Sequence, residues 1–280
     1  MREIAIIGAG QLGGTIAHVL ARRSAADVVR LIDDSGRVAE GKALDITQAA
    51  PLEHFATTVS GSTDLAAAAG AEIIVIADRV DRGEWQGEDG LTLVGRLNAL
   101  APRALFLCAG VSHRELIERG VRELHLSRAR IFGSAADALV GASAAIVALE
   151  IDASPRDVAL AILGVPPSQI VIAWEEAAIS GFALTRVITE PLRRRLDERI
   201  RALWPVGPYA LAVAACKIVE AASGRSRRLV TCFVAPDDSA GVRARTAAMP
   251  VRLGPTGVED IVLPTLSVAE RVALDNAVML

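Results

Sequence analysis

Short apolar runs alternate with helix-like stretches through the first half of the chain. The runs predict five strands: EIAIIGAG (3–10), DVVRLIDD (27–34), TTVSGS (57–62), AEIIVIAD (71–78) and ALFLCAG (104–110). Between them, helical spacing predicts four helices: GGTIAHVLARR, EGKALDITQAA closed by Pro51, TDLAAAAG capped by Thr63 or Asp64, and GLTLVGRLNALAP. This rhythm predicts a parallel sheet with right-handed crossovers.

The pattern changes near residue 135. There the chain predicts a buried helix, a strand at 156–164, a long helix over roughly 176–203 with a kink at Pro191, and a second apolar helix at 208–223. RLVTCFVA (228–235) and AAMPVRLGPTGVEDIVLP (247–264) are predicted to form strands, with a tight turn at GPTG. A terminal helix follows, whose Ser267 and Glu270 form a capping box. We expect two domains, residues 1–134 and residues 135–280.

The composition favours a well-buried α/β protein, because apolar residues make up 52% of the 280 residues and aromatics only 3%. A net charge of −3 gives no reason to expect nucleic acid, whose binding is driven by basic surface. The basic run RRRLDER (193–199) is interleaved with acids, which favours a solvated helix face over a phosphate-binding patch.

The cysteines and the first residues of the chain predict the cellular compartment. Cys108, Cys216 and Cys232 are odd in number and far apart, which predicts buried thiols rather than a disulfide framework or a metal site. MREIAIIGAG enters a strand at once, so no signal peptide is expected. The longest charge-free stretch, 138–149, is shorter than the roughly 20 residues that span a bilayer. We predict a cytoplasmic protein with no membrane segment.

Gly8, Gly10 and Gly13 form a G-x-G-x-x-G pattern between the first predicted strand and the first helix. In that context the glycines allow a tight turn, a close approach of pyrophosphate and close helix–strand packing, and the helix start supplies free N–H groups. Asp33 ends the second strand, where a carboxylate would bind the adenosine ribose and favour NAD over NADP. The alternative is a glycine turn kept only for packing.

NAD is therefore the predicted cofactor. The predicted binding residues are Gly8, Gly10, Gln11, Leu12, Gly13, Asp33 and Ala77. Asp78 opposes this prediction, because an acid at the carboxyl edge of the sheet repels a pyrophosphate unless Arg79 or Arg82 neutralises it. We expect Asp78 to turn towards solvent, with Arg79 covering it.

Several stretches carry a family likeness. IGAGQLGGTIAHVLA, EGKALDITQAAP, PYALAVAACKIVEA and MPVRLGPTGVEDIV, together with Asp33, resemble the NAD-dependent lactate/malate dehydrogenase family, and the similarity runs from Ile4 to the last helix. The resemblance implies an α/β fold with a Rossmann doubly wound parallel sheet, followed by an α+β substrate-type domain. It also implies a homodimer or homotetramer in which EGKALDITQAAP lies at the interface; the alternative is an ordinary surface helix.

The resemblance implies a set of catalytic side chains. A histidine takes the hydroxyl proton as hydride leaves, and an aspartate orients that histidine. One arginine clamps the substrate carboxylate, and arginines of a mobile loop polarise the carbonyl and read the far end of the substrate. An asparagine after the fifth strand touches substrate and nicotinamide.

Most of these positions are replaced in this chain. The matching positions hold Pro166 for the histidine, Leu139 for the aspartate, Ala144 for the clamp arginine, Ala109 for the asparagine and Glu88 for the second loop arginine. Asp137 is two positions from Leu139, on another face of the helix. Arg82 matches the first loop arginine if the gap in the shortened lid falls after it. We assign no catalytic residue and no metal ligand.

One of the four histidines lies where it could replace the family's catalytic histidine. His18 is expected to be structural, His54 to lie on the surface and His125 in a loop. His113 begins the helix after the fifth strand, near the functional edge of the sheet.

Three hypotheses follow. The main one is a dehydrogenase-like NAD-binding protein that has lost 2-hydroxy acid dehydrogenase activity and serves in binding, sensing or partnering. The second is an active NAD-dependent oxidoreductase on a different 2-hydroxy or 2-oxo acid, with Arg82 or His113 recruited. The third is a structural or interaction protein that has lost the nucleotide as well, as Asp78 suggests.

Overall fold

A computed structural model describes residues 2–35, 37–237 and 244–279. Its first half alternates strands and helices. In chain order these are β1 (Glu3–Ile7), α1 (Gln11–Arg22), β2 (Val28–Ile32), α2 (Val38–Glu53), β3 (Thr58–Ser62), β4 (Ile73–Ile76), β5 (Asp78–Arg79), β6 (Gly83–Glu84), α3 (Gly87–Leu100), β7 (Leu105–Cys108), α4 (Arg114–Leu124) and β8 (Ile131–Gly133).

Apart from β5 and β6, which pair only with each other, the strands of this half form a parallel sheet in the order β3-β2-β1-β4-β7-β8. The winding direction reverses between β1 and β4, and ligands of such sheets bind where it reverses, outside the carboxyl ends of the strands. In register, Ile7 lies beside Ile32 and Ile76, so the ends of β1, β2 and β4 meet at one edge. The α/β, Rossmann doubly wound fold is confirmed.

The second half adds helices and mostly antiparallel strands. They are α5 (Ala135–Glu150), β9 (Val158–Ala159), β10 (Ile162–Val165), β11 (Gln169–Ile172), β12 (Ala178–Ile179), β13 (Phe182–Ala183), α6 (Glu190–Arg201), α7 (Pro208–Ala222), β14 (Val230–Val234), β15 (Ala247–Gly254), β16 (Gly257–Ile261) and α8 (Val268–Val278).

The main sheet continues into this second half. β14 joins β8 through the pairing of Phe233 with Gly133, and β15, β10 and β11 follow. The predicted tight turn and capping box are both present, the latter between Ser267 and Glu270. Because the sheet crosses residue 134, the division into 1–134 and 135–280 stays a prediction.

Three local predictions were wrong. Residues 176–189 are not helical: they hold β12, β13 and a short 3-10 turn, and α6 begins only at Glu190, with Pro191 in its first turn. A positive φ of 83° at Gly181 forms the hairpin turn between β12 and β13, which helical periodicity does not reveal. Pro51 does not close α2, which continues to Glu53. The strand predicted over 156–164 is two strands, β9 and β10.

The interior matches the composition. Phe106, Phe132 and Phe233 are fully buried at the centre of the main core, and the three cysteines are buried and unpaired, as expected. Within the described ranges, no helix is both long and apolar enough to cross a membrane.

Candidate functional site

The glycine loop lies at the edge where the sheet reverses its winding. Gly8 follows β1 with φ at 109°, and its N–H donates to the Ile32 carbonyl at 2.7 Å. A Cβ on Gly13 would lie 1.9 Å from the Gly8 carbonyl oxygen and 3.4 Å from the Ala77 side chain. Both glycines are therefore required by backbone geometry, whatever the loop binds.

Asp33 is buried at the end of β2 and is 4% exposed. Its Oδ2 accepts hydrogen bonds from the backbone N–H of Ala9 at 2.7 Å and of Val80 at 3.2 Å, and its Oδ1 accepts from Ser35 N–H at 2.8 Å. The carboxylate therefore lies beside the glycine loop, where a ribose-binding acid is predicted, and already ties that loop to the segment after β4.

Asp78 points into the glycine loop, so the prediction that it turns to solvent was wrong. Its Oδ2 and Oδ1 accept hydrogen bonds from Leu12 N–H at 3.1 Å and Gly13 N–H at 2.9 Å. A Cβ on Gly10 would lie 2.3 Å from Asp78 Oδ2. The cause is physical: the first N–H groups of α1 have no partner within the helix and attract a carboxylate.

Lys42 is a cation at this loop that the sequence analysis missed. From α2, its Nζ donates to the carbonyls of Ala9 at 2.6 Å and Gly10 at 2.7 Å. Its position inside the quoted stretch EGKALDITQAAP was the available signal. A cleft of about 440 Å³ opens beside the loop, lined by Gly10, Gln11, Lys42, Asp78, Arg79, Val80, Asp81 and Gly83.

The segment after β4 folds back as a hairpin of β5 and β6. Arg79 does not cover Asp78; its guanidinium stacks 4.3 Å from the centre of the Trp85 ring and lies 3.8 Å from the Asp89 carboxylate. Glu84 accepts hydrogen bonds from Val111 N–H at 2.9 Å and Ser112 N–H at 2.7 Å, at the turn that leads into α4. The hairpin therefore spans from the glycine loop to the end of β7.

His113 is the histidine that reaches this edge. It is 1% exposed, and its Nδ1 accepts from Gly110 N–H at 3.0 Å, while within the described structure its Nε2 has no hydrogen-bond partner. Burial lowers the pKa of His113 to about 4, against the opposing charges of Glu84 and Asp78. The imidazole is therefore neutral near pH 7 and a weak proton acceptor.

The other histidines lie where they were expected. His18 on α1 contacts Glu53 at 3.2 Å. His54 and His125 follow the ends of α2 and α4 in the left-handed conformation, with φ of 57° and 53°.

Known dehydrogenases resemble this chain along almost its whole length. A family profile described as "lactate/malate dehydrogenase, NAD binding domain" matches residues 2–100. A malate dehydrogenase of Thioalkalivibrio sulfidiphilus is 30% identical over 295 residues, covering 99% of this chain and 96% of the relative. The chain belongs to the lactate/malate dehydrogenase family. A malate dehydrogenase of Thermomicrobium roseum is 29% identical over 293 residues, covering 99% of this chain and 94% of its own length.

Solved structures agree with this fold. A malate dehydrogenase from Salinibacter ruber superimposes with a TM-score of 0.88 at 23% identity, covering 98% of this chain and 93% of that one. A Cryptosporidium parvum lactate dehydrogenase with lactic acid and NAD superimposes with a TM-score of 0.86 at 23% identity, covering 99% and 94%. The match of residues 2–100 to the family's NAD-binding domain confirms NAD as the cofactor predicted for this chain.

The four positions that we expected to correspond to the family's histidine, aspartate, clamp arginine and asparagine lie in the second half and at its border. Pro166 follows β10, and Leu139 and Ala144 are buried on α5, 0% and 9% exposed. Ala109 follows β7 and is fully buried. None of these four side chains carries a group that can transfer a proton or bind a carboxylate.

The two positions that we expected to correspond to the family's loop arginines hold side chains with partners of their own. Arg82 is 61% exposed and lies 3.5 Å from Asp34, just beyond the end of β2. Glu88 is 81% exposed on α3 and pairs with Arg119 at 2.6 Å.

Asp137 is held by a structural pair. Its carboxylate is 6% exposed, accepts from Lys217 Nζ at 2.8 and 2.9 Å, and accepts from Thr231 N–H at 3.0 Å. The pair borders a cavity of about 580 Å³ between α5 and α7, which Ala144, Val158 and Tyr209 also line. The one lysine at this cavity is thereby neutralised by its own neighbour.

Whether NAD fits can be judged from these contacts. The glycines and Asp33 have the positions that the family's cofactor requires, and Leu12 and Gly13 would supply N–H groups to the phosphates. Those N–H groups are taken by Asp78. The backbone of the loop fits the dinucleotide. The phosphates cannot bind the N–H groups of Leu12 and Gly13 while Asp78 accepts hydrogen bonds from them.

Proposed function

We propose that this chain is a NAD-binding member of the lactate/malate dehydrogenase family in which the 2-hydroxy acid dehydrogenase reaction is lost. Its role is then binding, sensing or partnering. The proposal is supported by Pro166, Leu139 and Ala144, three side chains without a titratable group at the positions where the resemblance implies the family's histidine, aspartate and clamp arginine.

The size of the effect supports this proposal. Loss of a general base alone costs about 10²–10⁴ in rate, and loss of a substrate clamp removes positioning as well. A small carboxylic acid in the cavity between α5 and α7 would meet Lys217 already paired with Asp137. A buried carboxylate without a partner is costly, so an anionic substrate is disfavoured there.

The experiment is a steady-state assay at the nicotinamide absorbance with malate or lactate and NAD, and with the 2-oxo acids and NADH. We expect no turnover above the uncatalysed rate at any pH from 6 to 9. Robust turnover of either acid by the purified protein would remove the proposal.

A second candidate is an active oxidoreductase on a different 2-hydroxy or 2-oxo acid. It is favoured by His113, whose free Nε2 lies at the edge of the sheet where the chemistry of this family takes place. A substrate panel decides, repeated with His113→Asn, which keeps an acceptor for Gly110 N–H, and with Arg82→Ala. Turnover that disappears only in His113→Asn would establish this candidate, and silence across the panel would exclude it.

We further propose a cytoplasmic homodimer or homotetramer. The support is the resemblance, which implies an interface at α2, together with the exposure of Leu44 and Leu52 on that helix, 59% and 82%. Light scattering at micromolar concentration tests the assembly. A monomeric mass there would contradict it.

A further inference from the structure

The strongest unassigned feature is a carboxylate of this chain bound where the phosphates of a dinucleotide belong. Asp78 is not merely near the glycine loop: both of its oxygens accept hydrogen bonds from backbone N–H groups of the first turn of α1. Those groups and the helix dipole form the anion position of a dinucleotide fold. An aspartate carboxylate offers the same acceptors and the same charge sign as a phosphate.

The backbone holds Asp78 in place. Gly10 N–H donates to the Asp78 carbonyl at 2.9 Å, and Val80 N–H donates to Asp33. The glycine loop, the end of β2 and the start of the hairpin are therefore joined in one network. Rotating the carboxylate out of the loop breaks its bonds to Leu12 and Gly13 but leaves this backbone network intact.

Glu84 anchors the other end of the hairpin. Its carboxylate accepts from Val111 and Ser112 N–H, and a Cβ on Gly110 would lie 2.4 Å from its Cδ. The hairpin thus places one carboxylate at the start of α1 and another at the turn before α4, along the edge that a dinucleotide would follow. Among the described residues, the cation nearest the loop by contact is Lys42, which bonds loop carbonyls rather than Asp78.

We propose that Asp78 is an internal competitor of the dinucleotide phosphates. This inference rests on the NAD binding of the proposed function and adds a residue that sets the affinity. Phosphate and carboxylate cannot share the N–H groups of Leu12 and Gly13, so the cofactor binds only the fraction of molecules in which Asp78 has left them. The apparent dissociation constant rises by the inverse of that fraction.

The test is calorimetric titration of NADH into the whole chain and three variants. Asp78→Ala removes the competing carboxylate, and Asp78→Asn keeps the shape without the charge. Asp81→Asn is the matched control, because Asp81 lines the same cleft at the exposed turn of the hairpin. We expect Asp78→Ala to tighten NADH binding by about tenfold or more, Asp78→Asn to fall between, and Asp81→Asn to change it by less than about threefold.

The outcomes separate the inference from the proposed function. If wild type and Asp78→Ala bind NADH equally, the inference is overturned and NAD binding stands. If no variant binds NADH at millimolar concentration, both fail. Thermal melting verifies that each variant folds, and Asp78→Asn carries the test alone if Asp78→Ala does not fold.

Competition with inorganic pyrophosphate tests whether the change in NADH affinity arises at the phosphate position. We expect it to weaken NADH binding to Asp78→Ala by competition and to have a smaller effect on wild type, whose N–H groups Asp78 already holds. Tightening in Asp78→Ala without competition by pyrophosphate would place the effect away from the phosphates and overturn the inference.

Discussion

The glycine loop and the packed helices α5 and α7 differ in how closely they match what the resemblance to the family implies. In the loop, Gly8, Gly13 and Asp33 keep the positions that a dinucleotide-binding fold requires. On α5, Leu139 and Ala144 are buried apolar residues at positions where the resemblance implies an aspartate and an arginine. The glycines of the loop are required for the packing of the strand, the turn and the helix, because a Cβ at Gly8 or Gly13 would clash with the backbone. The family resemblance implies that residues 139 and 144 serve the substrate instead.

The largest expected effect tests the structural demand in the loop. Gly13→Ala would place a Cβ 1.9 Å from the Gly8 carbonyl, and we expect it to lower the free energy of unfolding by about 3 kcal/mol or more. Gly141→Ala, at an exposed position of α5 with no atom within 4 Å of the added Cβ, should raise it by about 0.5–1 kcal/mol. Urea unfolding measures both. Equal, small effects would show that the loop tolerates change as the second region does.

The next effect concerns the buried pair in the second region. Lys217→Met leaves the Asp137 carboxylate, 6% exposed, with only Thr231 N–H, and should cost about 2 kcal/mol of unfolding free energy, discounted because Lys217 is 40% exposed. Combining Lys217→Met with Asp137→Leu should recover part of that loss. A double variant that is less stable than the summed losses of the two single variants predict would show that Lys217 and Asp137 do not stabilise the fold as a pair.

The free energy of unfolding should depend on pH through His113. The folded-state pKa of His113 is lowered to about 4 from an ordinary 6.5, so between these values the unfolded chain binds a proton that the folded chain does not. The neutral His113 therefore costs the fold no stability above pH 6.5, and the free energy of unfolding decreases as the pH falls towards 4. We expect wild type to lose about 1–2 kcal/mol more than His113→Asn between pH 7 and pH 5.

Urea unfolding at the two pH values measures that difference. His113→Asn keeps an oxygen acceptor for Gly110 N–H, so it removes the titration while retaining the bond at Nδ1. Parallel pH profiles for the two proteins would contradict a buried neutral imidazole at this position.

The smallest effect is expected at the loop arginine. Arg82→Ala removes an ion pair whose members are 61% and 57% exposed, and should change the unfolding free energy by less than about 0.5 kcal/mol. It should also leave any residual turnover unchanged, because the Arg82 side chain is exposed and pairs with Asp34. A loss of turnover in Arg82→Ala would show that the loop moves to the second region and that the two regions still cooperate.

Much of the fold could be predicted from the sequence, because strand periodicity and a glycine pattern are local signals. The parallel pairing of the first strands followed from the alternation of strands and helices, whereas their order in the sheet was not predicted. The hairpin at 178–183 did not, since it depends on left-handed residues at Ser180 and Gly181 that periodicity cannot distinguish from a helix.

The site was only partly predictable for a related reason. The position of Asp78 at the sheet edge was visible, but its direction depends on unpartnered N–H groups of α1, which belong to another part of the chain. The contact of Lys42 with the loop likewise joins α2 to α1 across the fold. Side-chain direction at such edges is a tertiary property.

The most direct measurement is NADH oxidation with oxaloacetate or pyruvate by wild type and by Asp78→Ala, at NADH concentrations shown by calorimetry to saturate each protein. With the cofactor bound, absent turnover cannot be attributed to an empty site. The account predicts no oxidation above the rate without protein in either case. A kcat of about 1 s⁻¹ or more, the ordinary range for enzymes, would contradict it.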